Sequence, residues 1–130
     1  MSNKKHKPQI IARESVLKVI YQLSFNDTSS KEILNNFVEK REYDKDLFKQ
    51  LLDSYISNKT EISNIIRKNN ERIDNIPIID QCIISLGICE YKYINNTKNM
   101  IISEYINIAK KYSSPKMYTY LNKILDKIMQ

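Results

Sequence analysis

Only one glycine and three prolines occur among 130 residues, and this shortage of turn-formers limits the fold more than any motif does. A β-sandwich or barrel needs a turn signal roughly every 8–12 residues, a density this chain does not approach. Apolar residues instead recur at helical spacing. Ile10, Leu17, Ile20 and Tyr21 form one stripe behind Pro8, which suits a first helical turn because its missing N–H needs no partner there. Asn26–Ser29 break the pattern, and Ser29 with Glu32 has capping-box spacing ahead of Ile33, Leu34, Phe37 and Val38. Asp44 is placed to cap a helix bearing Leu47, Phe48, Leu51, Leu52, Tyr55 and Ile56. After a break near Asn58–Thr60, Ile62, Ile65, Ile66 and Ile73 continue as one stripe.

Behind Pro77, residues 78–93 are apolar on more than one face, which predicts a central helix buried on several sides. Asn95–Thr97 form a turn. Ile101, Ile102, Tyr105, Ile106, Ala109 and Tyr112 define the next helix, and Ser114-Pro115 opens the last, with Met117, Leu121, Ile124, Leu125 and Ile128 inward. No segment alternates with period two. The expectation is an all-α bundle of six to seven helices, with residues 1–7 a flexible basic N-terminal arm and 8–130 a single domain.

Residue types exclude much chemistry. Gly87 alone cannot write a phosphate-binding glycine loop. The single histidine, His6, lies in a lysine-rich leader, so a His-based triad or zinc centre is not expected, nor is any metal or cofactor. Cys82 and Cys89 would be separated by about 10 Å of helical rise, beyond disulfide reach, and read as buried small hydrophobes in a reducing cytosol. The carboxylates are scattered on polar faces without a nucleophile–base pair, so an enzyme is not expected. No apolar run has the length of a bilayer span, which points to a cytoplasmic protein without membrane contact.

The net charge of +6 sits at the two ends. Lys4, Lys5, Lys7, Arg13 and Lys18 oppose only Glu14 in residues 1–22, and Lys98, Lys110, Lys111, Lys116, Lys123 and Lys127 oppose Glu104 and Asp126 after residue 97. If the ends meet, they form one positive surface suited to a polyanion. Tyr112, Tyr118 and Tyr120 interleave with the C-terminal lysines, an arrangement that lets rings stack on RNA bases while amines hold phosphates. Core or groove filling is the alternative reading of each ring.

Four strings, in order, resemble the NusB family of transcription antitermination factors. They are IARESVLKVIYQ at 11–22, FKQLLDSYISNKTEISNII at 48–66, the helix from Ile76-Pro77 through IISLGICEY to Tyr91, and IISEYINIAKKYSSPKMYTYLNKILDKI at 101–128. The resemblance implies two packed three-helix sub-bundles and no enzymatic activity. It also implies binding of boxA-type RNA in ribosomal RNA leaders together with NusE, a small-subunit ribosomal protein, within an RNA polymerase antitermination complex.

Carried over by position, it marks Arg13, Tyr120 and Asn122 for RNA, beside Lys4, Lys5, Lys7, Lys18, Lys110, Lys111 and Lys116. It marks Asp80 and Ile84 for the protein partner, and Glu90 either for such a contact or as an anchor for a helix end. Where the family has arginines just before its ARE element, this chain has Gln9, Ile10 and Ile11. Lysine lacks the bidentate guanidinium fork, so RNA binding through the leader should be weaker or more salt-sensitive. A helical interaction module that has lost RNA readout is the competing reading. An RNA-recognition domain of the kind that precedes a ribosomal RNA cytosine methyltransferase is a third.

Overall fold

A computed structural model describes residues 3–25, 30–70 and 72–130, with side chains from residue 6 onward except residue 30. Among the described residues there are seven α-helices and no strand: α1 Asn3–Leu23, α2 Ser30–Asn36, α3 Lys45–Ser57, α4 Lys59–Asn69, α5 Ile78–Cys89, α6 Lys98–Tyr112 and α7 Pro115–Ile128. A 3₁₀ turn, Ile73–Asn75, precedes α5, and a π-helical turn, Glu90–Ile94, extends it.

Several boundaries lie where local chemistry puts them. The Leu47 N–H donates to Asp44 Oδ1 at 2.9 Å, capping α3. Asn58 ends α3 and begins α4. Pro115 occupies the first turn of α7, although the Ser114 hydroxyl makes no capping bond. Ser29 of the expected capping box lies outside the described residues. Two expectations need correction. The helix expected to open at Pro8 begins at Asn3, so the backbone of residues 3–7 continues α1 and Pro8 lies inside it, removing one intrahelical hydrogen bond. Ile73 is buried but belongs to the 3₁₀ turn, because α4 stops at Asn69 and the chain must bend to reach α5.

The core is organised by α5. Nine of its twelve residues are buried, and it packs against α1, α3, α4, α6 and α7. The N-terminal group is α1 with α2 and α3, the C-terminal group is α5 with α6 and α7, and α4 links them by touching α3 as well as α5 and α7. Gly87 allows α7 to close in: a Cβ there would stand 2.8 Å from Leu125 Cδ2, and Leu125 is itself fully buried. Cys82 and Cys89 are both buried free thiols, and burial pushes them to about 11 and about 12, which makes them inert packing residues. Between α2 and α3 the chain has no regular secondary structure and is held by a cluster of Phe37, Tyr43 and Phe48, with the Phe37 and Phe48 rings stacked at 5.1 Å.

The α5–α7 contact yields a direct test. Gly87→Val forces Leu125 from its place in a filled core and should cost about 1–3 kcal/mol by overpacking, read as a lower urea midpoint with an unchanged slope.

Candidate nucleic-acid interface

The centre of α1 is buried on all sides from Ile11 to Leu17, and that run includes Arg13, Glu14 and Ser15. Polar side chains in such a position need partners, and here those partners come from the far end of the chain.

Arg13, 1% exposed, meets the fully buried Glu90 as a bidentate pair. Nε donates to Oε1 at 2.8 Å and Nη2 to Oε2 at 2.7 Å. Tyr105 Oη also donates to Oε1 and Asn96 Nδ2 to Oε2, each at 2.8 Å. Arg13 Nη1 faces Glu104 at 3.6 Å. Burial by itself would push the Glu90 carboxyl up; its bonds to Arg13, the Arg13 charge and the bonds from Asn96 and Tyr105 together outweigh it and hold the carboxyl below its ordinary value. The π turn makes this geometry: the Asn95 N–H reaches back to the Glu90 carbonyl, Asn95 takes a left-handed φ of 66°, and Asn96 turns inward onto the carboxylate.

Arg13, expected at the RNA, is therefore inside the protein with its fork taken by Glu90. The anchor role is the one Glu90 fills. Asp80 and Ile84, expected at a protein partner, are 1% and 0% exposed. Asp80 accepts a 2.5 Å hydrogen bond from Ser113 Oγ and ties the start of α5 to the α6–α7 junction, while Ile84 sits in the core. Neither side chain is presented to an incoming molecule. The helical wheel could not separate these polar positions from exposed ones, because their partners lie 33 and 77 residues away.

The next residue of α1, Glu14, is also buried and draws basic groups around itself. Lys111 Nζ donates to its Oε2 at 2.6 Å, Tyr112 Oη lies 3.5 Å from Oε1, and Arg41 Nη1 lies 3.9 Å from the same oxygen. Arg41 also binds Glu39, whose carboxyl its side-chain and backbone hydrogen bonds hold at about 2. This cluster seats the end of α6 against α1, so the two basic ends of the chain meet at a seam. Lys7, Lys18, Lys110, Lys116 and Asn122 are exposed, and Lys111 is exposed while committed to Glu14. The side chains of Lys4 and Lys5 lie outside the described residues.

The tyrosines expected to stack on bases pack differently. Tyr112, Tyr118 and Tyr120 all lie half-buried against the core, and the Tyr120 hydroxyl accepts a hydrogen bond from Asn70. Packing holds these rings in place. The exposed aromatics are Tyr21 and Phe25, edge-on with centroids 4.8 Å apart at the end of α1. Tyr21 lines a groove of about 310 Å³ together with Leu17, Lys18, Ile79 and Tyr112, mostly apolar and along the same seam. Reading by stripe missed this edge. Phe25, an aromatic stranded between a helix end and a polar break, was its one visible sign. Arg41, on the non-helical linker between α2 and α3, has no periodic signal at all.

The NusB family model matches residues 10–130. The chain is 29% identical over 125 residues to transcription antitermination protein NusB of Finegoldia magna, covering 92% of this chain and 91% of that protein. It is 33% identical over 120 residues to the protein of that name in Listeria innocua, covering 90% and 92%. Among solved structures, T. maritima NusB superposes with a TM-score of 0.83 at 24% identity, covering 94% of this chain and 90% of the other. A complex of antitermination factors NusB and NusE with dsRNA gives 0.83 at 23% identity, covering 95% and 96%. Both share the all-α fold described above.

The buried pair makes the fold sensitive to truncation and to acid. Arg13→Ala leaves Glu90 charged and unpaired and should cost about 3–5 kcal/mol, read by urea unfolding at neutral pH. Because the Glu90 carboxyl is depressed in the fold, its contribution is fully present above the ordinary value of 4.5 and is lost as pH falls through the lower folded value. Glu90→Gln should flatten that acid limb of the stability–pH curve.

Proposed function

The chain belongs to the NusB family, and on that premise we propose that it acts as an RNA-binding transcription antitermination factor in the cytoplasm, not as an enzyme. It binds boxA-type leader RNA together with NusE and promotes readthrough by RNA polymerase. The observation that carries this reading is the seam where α1 meets the end of α6, which sets exposed lysines beside an apolar groove.

The two surfaces have different chemistry and suit different partners. Lys7, Lys18, Lys110 and Lys116, with Asn122 and the leader residues Lys4 and Lys5, supply flexible point charges that follow a phosphate backbone. The groove of Leu17, Tyr21, Ile79 and Tyr112, with Phe25 packed against the Tyr21 ring, offers apolar area and aromatic anchors of the kind that dominate protein interfaces, and we assign NusE to it. Arg13 then acts indirectly, by holding α1 against the π turn so that the lysines on its exposed face keep their register. Asp80 does the same for the α6–α7 junction.

The interaction-only reading keeps one observation in its favour. Arg13 is sealed against Glu90, and no arginine stands at residues 9–11, so every cation available to RNA on α1 is a lysine.

The deciding experiment is a titration of a boxA-containing RNA and a scrambled control, with and without NusE, at two salt concentrations. Tighter boxA binding when NusE is added, falling steeply with salt, is the expected result. Removing Lys18, Lys110 and Lys116 together should lower the salt slope by about 0.7 for each phosphate of a single-stranded RNA that is no longer neutralised. Binding of NusE without discrimination between the RNAs would instead establish the interaction-only reading. A Tyr21→Asp variant should lose NusE while keeping the salt-dependent part of RNA binding.

A further inference from the structure

A second apolar groove, of about 450 Å³, is built from other residues: Ile65, Lys68 and Asn69 of α4, Ile88 at the end of α5, Tyr91 and Lys92 of the π turn, and Ile128 of α7. It shares no residue with the groove at the α1–α6 seam. Its construction follows from helical spacing. On α4, Ile65 precedes Lys68 by three residues; on α5 and its extension, Ile88 precedes Tyr91 by three and Lys92 by four. Each series puts an apolar side chain inward and a lysine one turn along on the same face. Ile88 is buried and forms the floor, while Ile65, Tyr91 and Ile128 are half-buried walls.

The rim is cationic. Lys68 pairs with no acid among the described residues. Lys127 Nζ donates to the Asn69 carbonyl at 3.2 Å, which ties α7 to α4, and its charge has no carboxylate partner among the described residues. Lys92 pairs with Glu61, but both members are nearly half exposed, and an ion pair so open to water holds its partners weakly. Lys92 is therefore free to turn to an incoming carboxylate.

From this we infer that the face between α4 and α7 is a docking site for an amphipathic helix of a protein partner, one that sets aliphatic side chains onto Ile65, Tyr91 and Ile128, above the buried Ile88, and carboxylates against Lys68, Lys92 and Lys127. Charge complementarity selects this occupant. A second copy of the same face would set lysine against lysine. A nucleic acid would satisfy the lysines but not the aliphatic floor, which offers one ring, Tyr91, for base stacking. A helix laid between two flanking helices follows the ordinary ridge-and-groove packing of helical proteins.

The test uses the full chain, isotope-labelled, with a synthetic helical peptide of about 14 residues carrying leucines on one face and glutamates beside them. The expected result is chemical-shift change at Ile65, Lys68, Tyr91, Lys92 and Ile128. Affinity should drop about tenfold or more in Lys68→Glu/Lys127→Glu, a surface double substitution whose fold is checked by the unchanged remainder of the spectrum. A peptide with serine for leucine should bind at least tenfold more weakly. Equal binding of the serine peptide would reduce the face to a general cationic patch and overturn the inference. So would shifts confined to Leu17, Tyr21 and Tyr112, no shift at all, or a single-stranded RNA that moves the α4 and α7 resonances when the peptide does not.

Discussion

A carboxylate with no water around it exists as an anion only if the fold supplies a counter-charge and enough donors, and Glu90 receives both. Two bonds from Arg13, one from Tyr105 and one from Asn96 fill its lone pairs. These donors come from α1, α6 and the turn between the π segment and α6, so one buried anion holds together elements distant in the chain. A pair of this kind adds little net stability compared with a well-packed apolar substitute. What it enforces is arrangement. Only one register of α1 against the π turn satisfies Arg13 and Glu90 together, and the positions of Glu14, Lys111 and the exposed lysines of α1 follow from that register.

The second constraint is the crowding around α5. A helix buried on several sides has to be approached closely by its neighbours. The single glycine in the chain stands where α7 comes nearest. The buried polar groups at its two ends have different tasks: Asp80 ties its start to the α6–α7 junction through Ser113, and Glu90 ties its finish to α1. The central helix thus contributes only Ile79 and Ile88 to the lining of the two grooves, and most side chains able to face a partner belong to its neighbours. They lie on the outer helices that α5 positions, at the α1–α6 seam and between α4 and α7.

The two grooves show how one construction yields surfaces of different character. Both set aliphatic and tyrosine side chains between helices and place lysine at the edge. At the seam, the neighbouring cations are partly committed to the buried Glu14, and exposed aromatics continue the apolar area outward. Between α4 and α7 the aliphatic floor is bounded by three lysines, of which only Lys92 has a carboxylate, Glu61, among the described residues. The first sets apolar anchors beside exposed lysines. The second is matched to carboxylates flanking an apolar ridge.

Much of the architecture was legible in the residues. The near absence of glycine, the three- and four-residue apolar spacing, the Asp44 cap and Pro115 are local signals, and local hydrogen bonding and side-chain burial act on them directly. The centrality of α5 was legible because a helix apolar on several faces must be covered on several faces. The roles of Arg13, Asp80, Ile84 and Tyr120 were not. A charged or aromatic residue at a given position is chemically the same whether it faces solvent or a partner 77 residues away, and desolvation decides between the two only after the helices have packed. The order of residues is thus enough to set the helices, the all-α class and the concentration of positive charge at the chain ends. Which charges are used up inside and which remain at the surface is settled by packing, because burial and pairing belong to the assembled helices and not to any one segment.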